Sequence, residues 1–148
     1  VFSPVCRLHG HRDPNEVWTF GESVYEILKQ YLLLRQRLVP YVLAQMDKAH
    51  RTGVPPMRPL FFDFADDPAC YEIDDAYLFG DDLMVGPVVE YGAREREVYF
   101  PAGIDWHDVW TGEVHAGGRR VAINAPLDRI PLFSRAGTSP FTNSPDPA

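Results

Sequence analysis

Lysine is nearly absent from this chain of 148 residues: Lys29 and Lys48 stand against twelve arginines. Positive charge is outnumbered as well, with 14 Lys and Arg against 21 Asp and Glu and a net charge of -7. That balance argues against a surface for nucleic acid or for an anionic membrane, since both need excess positive charge. Cysteine is scarce too. Cys6 and Cys70 make neither a disulfide framework nor a metal-ligand set, and the expectation is two reduced, buried thiols. No apolar run reaches the roughly 18 residues of a membrane span. A phosphate-binding glycine loop, a nucleophile elbow and a C-x-x-C pair are all missing, and no cofactor or metal is expected. The length is too short for a complete (β/α)8 barrel, which takes about 250 residues. The chain starts at Val1 on strand-like residues without an initiator Met, so the natural N-terminus is expected to be missing. These residues set no compartment, and a cytoplasmic one is the default.

What is present is core material. Hydrophobic residues make up 45% and aromatic residues 13%, which excludes global disorder. With 11 Gly and 14 Pro, the chain is broken by many turns. The opening VFSPVCRLHG reads as a short buried strand running into a polar loop over residues 11–21. Glu22 or Ser23 starts one long helix reaching about His50. Its apolar positions are Val24, Tyr25, Leu28, Tyr31, Leu32, Leu38, Val39, Val42, Leu43 and Met46, spaced by three and four as one buried face demands. Only Arg35 interrupts that series. Pro40 should kink the helix, and Gly53 with Pro55 and Pro56 ends it. MRPLFFDF (57–64) then reads as a strand buried on both faces, as in a parallel sheet.

Beyond residue 77 the pattern changes. LMVGPVVE, REREVYFPAG, IDWHDVWTGEV with a turn at Thr111–Gly112, and RRVAINAPLDRIPLFSRAG give short strands every 8–12 residues. Such spacing argues for an antiparallel sandwich. The polar tail TNSPDPA is expected to fray. The fold class expected is therefore α/β followed by all-β.

Five segments, in order, resemble glycoside hydrolase family 31, the α-glucosidases and α-xylosidases. RLHGHR (7–12) is similar to the family's Arg-x-His segment at the end of the seventh barrel strand. RQRLVPYVLAQMDKAHRTGVPPMRPLFFDFADDP (35–68) resembles its "RxRLxPYxY…RP…FP.D" stretch. YLFGDDLMVGPVVEYG (77–92), VYFPAGIDWHDVWTGE (98–113) and APLDRIPLFSRAG (125–137) resemble three of its later signatures. Thr138, Ser139 and Pro140 depart from the family's usual Gly-x-Ile-Ile-Pro ending. The resemblance implies that residues 1–77 are the last quarter of a (β/α)8 barrel and residues 78–148 the proximal β-sandwich.

Retaining glycosidases need two carboxylates about 5–5.5 Å apart. In this family both aspartates lie on earlier barrel strands, whose motifs are not in this sequence, so no catalytic residue is assigned here. The acidic cluster Asp63, Asp66, Asp67, Asp74, Asp75, Asp81 and Asp82 reads as turn chemistry around Pro68 and Gly80. By resemblance, His9 binds a hydroxyl of the sugar in the cleaved subsite. A core histidine is the plain alternative. Arg7, two residues earlier on the same side of the strand, either orients a catalytic carboxylate or makes an ion pair at the barrel rim. Trp18 is expected to cover core rather than stack on a sugar. Phe61, Phe62, Phe64, Tyr71, Tyr77 and Phe79 read as core. Trp106, His107 and Trp110 belong to the sandwich hairpin, where a separate sugar surface is the lesser reading, and His107 with His115 is a poor metal pair.

The resemblance thus implies the C-terminal part of a retaining α-glycosidase, whose partners are a glycoside or oligosaccharide substrate and the N-terminal part of its own chain. The alternative is a free-standing, non-catalytic β-sandwich module that binds carbohydrate or is only structural. The strand–helix–strand opening argues against that module, because it would leave a large apolar face in water.

Overall fold

The computed structural model describes residues 1–11 and 14–135. The polar tail, the departure at 138–140 and Arg12 lie outside the described residues. Two helices come first, α1 (Glu22–Arg37) and α2 (Val39–Thr52). They replace the single kinked helix expected from periodicity. Pro40 has no N–H to give the Gln36 carbonyl, so the ladder breaks at Leu38, which keeps near-helical angles, and a second helix starts with proline in its first turn. Gly53, at φ 78°, closes α2 in the left-handed conformation.

Eight strands follow among the described residues: β1 (Met57–Pro59), β2 (Tyr77–Phe79), β3 (Leu83–Val85), β4 (Glu95–Phe100), β5 (Asp105–Asp108), β6 (Val114–Ala116), β7 (Arg119–Asn124) and β8 (Leu132–Arg135). Six form one antiparallel sheet in the order β1-β2-β3-β8-β5-β6, and β4 pairs with β7 in a separate ribbon. The Thr111–Gly112 turn falls between β5 and β6 as its sequence predicts.

The six-stranded sheet is buried on both faces. Leu78, Met84, Trp106 and Phe133 face the β4–β7 ribbon, where Val98, Phe100 and Ile123 meet them. Phe79, Leu83, Val85 and Leu132 face the other way, onto Tyr31, Leu34, Leu38 and Val42 of the helices. Side chains alternate along a strand, so adjacent residues such as Leu78 and Phe79 serve different cores. This is why β3 reads as an unbroken apolar run.

Two expectations change. The 57–64 run contributes only a three-residue strand, antiparallel to β2, and then turns into a 3-10 helix at Leu60–Phe62. Residues 1–10 carry no strand, and no parallel pair occurs among the described residues. A parallel strand needs neighbours to take its backbone groups, and none of the described strands lies beside this segment.

Aromatic hydroxyls fasten the helices to the sheet. Tyr31 donates to the Asp128 carbonyl at 3.1 Å and accepts from the Ile130 amide at 2.7 Å. Tyr41 donates to the Phe79 carbonyl at 2.9 Å and accepts from the Asp82 amide at 3.0 Å. Burial pushes both hydroxyls above their ordinary pKa.

Candidate functional site

The segment that bears Arg7 and His9 begins inside the core and ends in the open. Phe2 is 3% exposed and sits edge-on to Tyr31 and Phe79. The chain bends at Ser3–Pro4, after which residues 5–11 are all exposed. Within the described chain His9 is exposed, and Arg7 has no ion-pair partner among the described residues. Val5 and Leu8, expected to be buried, are 80% and 53% exposed, and Cys6 is exposed while Cys70 is buried. Burial pushes the Cys70 thiol up to about 12, and the neighbouring Asp67 carboxylate adds to the shift. That thiol is inert core material.

Arg35 is the feature that periodicity could only mark as an interruption. Its guanidinium reaches across to the start of the chain. It donates to the Val1 carbonyl at 2.5 Å, to the Pro4 carbonyl at 2.8 Å and to the Ser3 carbonyl. Tyr77 on β2 donates to the Phe2 carbonyl at 2.9 Å. Four successive carbonyls without a strand partner are thus satisfied by side chains. The sequence signal was present, a charge on an otherwise apolar face, but its partners lie more than thirty positions away.

Three members of the acidic cluster, Asp63, Asp67 and Asp81, are structural. Arg58, 4% exposed, makes a two-pronged contact with Asp63, Nε to Oδ1 at 2.6 Å and Nη2 to Oδ2 at 2.8 Å. Its Nη2 also reaches Asp81 Oδ1 at 3.4 Å, which Lys48 holds at 2.7 Å, and Arg135 adds a contact to Asp63. Burial alone would raise the Asp63 and Asp81 pKa values, but the cationic donors outweigh it and the net shift is downward. Asp67 accepts from the Tyr99 hydroxyl and from the Ala69 and Ala102 amides, and its pKa is lowered on balance against burial. A general acid needs a raised pKa. These three carboxyls are held in the opposite state.

Other aromatic and histidine readings divide. Phe79 and Trp106 are fully buried, and Phe64 packs on the core. Phe61, Phe62 and Tyr71 are 38%, 48% and 56% exposed, a correction to their reading as core. The cause is the early end of β1: the 3-10 turn at Leu60–Phe62 carries both phenylalanines outward, where Phe61 stacks on Tyr71. Trp18 is 68% exposed, a correction to its reading as a residue that covers core. His115 pairs across from Trp106, whereas His107 pairs across from Val114, so the two histidines lie on opposite faces and cannot share a metal. Among the described residues no helix is long and apolar enough to cross a membrane.

Two helices laid on an antiparallel sandwich define the class: the end of an α/β barrel with a sandwich packed beside it. Residues 1–45 match the TIM-barrel domain of glycosyl hydrolases family 31, and residues 53–138 match the C-terminal domain of the same family. The chain belongs to glycosyl hydrolase family 31. It is 40% identical to an alpha-xylosidase of Saccharolobus solfataricus over 93% of this chain and 19% of that protein. It is 39% identical to alpha-glucosidase 2 of Bacillus thermoamyloliquefaciens over 94% of this chain and 18% of that protein. Among solved structures, a GH31 alpha-xylosidase from a soil metagenome, complexed with xylose, superposes with a TM-score of 0.83. That match has 47% identity and covers 86% of this chain and 19% of that one. The chain thus spans about a fifth of the length of these relatives. The barrel match over residues 1–45 leaves the free-standing β module without support.

Proposed function

We propose that these residues form the C-terminal part of a retaining α-glycosidase that hydrolyses α-linked xylosyl or glucosyl residues. The nucleophile and the acid/base lie in the barrel portion preceding residue 1, and His9 binds a hydroxyl of the sugar in the cleaved subsite. The observation that carries this reading is a barrel-domain match over residues 1–45 that contains the exposed RLHG segment, while Asp63, Asp67 and Asp81 are engaged by their own donors. An imidazole donates to or accepts from a hydroxyl, so it recognises a sugar without needing charge. Arg7 stands two residues away and is proposed to orient a catalytic carboxylate through its planar fork. The exposed Val5, Leu8, Trp18 and Leu43 are apolar surface for the rest of the barrel to cover. Barrel portion 1–77 and sandwich 78–148 belong to the same proposal, with the β1–β2 ladder joining the two across that junction.

The 148 residues alone are expected to turn over neither aryl α-glucosides nor aryl α-xylosides, and measurable hydrolysis would place a carboxylate pair among the aspartates described above. In the full-length enzyme, His9→Ala should lower kcat/KM by the loss of about 1–3 kcal/mol of transition-state binding, with the melting temperature nearly unchanged. An unaltered kcat/KM removes His9 from the sugar site.

A further inference from the structure

The hydrogen bonds that fasten residues 1–11 to the rest of the described chain all fall on the first four residues. Arg35 takes the carbonyls of Val1, Ser3 and Pro4, and Tyr77 takes that of Phe2. The Ser3 hydroxyl then donates to the Val5 carbonyl at 2.6 Å, which stiffens the bend. Beyond it, Arg7 and His9 stand exposed at the end of a segment rooted only at its base. One side of that root belongs to a helix, and the other to Tyr77 at the start of β2.

We infer that Arg35 is a positioning residue: its fork sets the exit direction of the segment that carries Arg7 and His9 and so places His9 against the sugar. This rests on the sugar-binding reading of His9 given above. The chemistry of the side chain fits the task. A guanidinium is planar and presents donors from two terminal nitrogens at fixed angles, so it holds three carbonyls in one defined bend. A lysine ammonium is a single point with rotatable donors and cannot fix that geometry. The residue's place also fits. Arg35 interrupts an apolar face, where a charge is kept only if well partnered, and its partners among the described residues are backbone oxygens of this segment. Tyr77 makes the six-stranded sheet a participant: its hydroxyl, raised in pKa by burial, stays protonated and donates to the Phe2 carbonyl just before the bend.

The test is a double-mutant cycle in the full-length enzyme, reading kcat/KM on an aryl α-glycoside together with the melting temperature. Arg35→Lys should lower kcat/KM about tenfold, since displacements of about 1 Å near reacting groups have effects of that order or larger. In a His9→Ala background the same substitution should change kcat/KM less than twofold, while its shift in melting temperature stays the same in both backgrounds. A merely structural Arg35 would give the same fold-loss with and without His9, and that result overturns the inference. So does an unchanged kcat/KM in Arg35→Lys. If His9→Ala alone has no effect, the sugar-binding reading fails first and the positioning role falls with it. If His9→Ala is impaired but the cycle is additive, only the positioning role falls. Should Arg35→Lys fail to fold, Tyr77→Phe removes one hydrogen bond from the same root. Its smaller loss in kcat/KM should also vanish when His9 is alanine, and persistence of the loss counts against the inference.

Discussion

Gly80→Ala should lower stability by about 3 kcal/mol or more, the sum of backbone strain and overlap at one position. Gly80 opens the turn between β2 and β3 at φ 65°, a region that side-chain-bearing residues rarely enter. A β-carbon placed there would stand 2.2 Å from the Tyr41 hydroxyl oxygen and 2.6 Å from its ring. Tyr41 cannot step aside cheaply, because its hydroxyl is held by the Phe79 carbonyl and the Asp82 amide. The Gly80 amide itself donates to Pro56 at 2.7 Å, so the backbone is fixed as well. The substitution strikes the contact that seats α2 on the sheet. Equilibrium denaturation followed by tryptophan fluorescence would measure it, since Trp106 is fully buried in the neighbouring core. A loss below 1 kcal/mol would mean that the turn relaxes and that Tyr41 is not the anchor described.

Arg58→Met should destabilise by about 2–3 kcal/mol, below the usual cost of breaking a buried pair, because Asp63 keeps Arg135 and Asp81 keeps Lys48. Methionine retains the apolar stem, so lost packing is a small part of the effect. The pH dependence identifies the cause. Asp63 and Asp81 have folded pKa values below their unfolded ones, so their stabilisation is fully present above the unfolded value near 4 and disappears as the pH falls through the folded values. Without Arg58 both carboxyls should titrate closer to their ordinary range. The difference between wild type and variant should therefore narrow as the pH drops from about 4 toward 2. A gap constant over that interval would mean that the variant acts through packing, not through the carboxylates.

Legibility followed the range of the interaction. The strand-and-turn spacing of residues 95–124 was readable because a hairpin is set by its own alternation and by a glycine such as Gly112, at φ 73°. The candidate site was readable only through resemblance. His9 alone, in RLHG, carries no signal that separates a sugar ligand from a core residue. Its exposure became known only once Phe2 was seen to turn inward and the rest of the segment outward. The helix face was half readable: Tyr31, Leu34, Leu38 and Val42 meet the sheet, whereas Leu32, Val39, Leu43 and Met46 make a second stripe that the described chain leaves exposed. Periodicity counts apolar positions but does not say which neighbour covers them.

Composition and local order by themselves determined the helical stretch interrupted at Pro40, the run of short strands, and the five signatures. Those are properties of neighbouring residues, fixed by backbone sterics and side-chain period. Tertiary structure alone decided that the six-stranded sheet has two cores, that β1 runs antiparallel to β2, and that Asp63 and Asp81 are bound by Arg58, Lys48 and Arg135. It also decided that Arg35 serves the carbonyls at the start of the chain. The physical reason is the same in each case: a charge or a backbone oxygen accepts whichever complementary group the fold delivers to it, and that delivery depends on residues dozens of positions away.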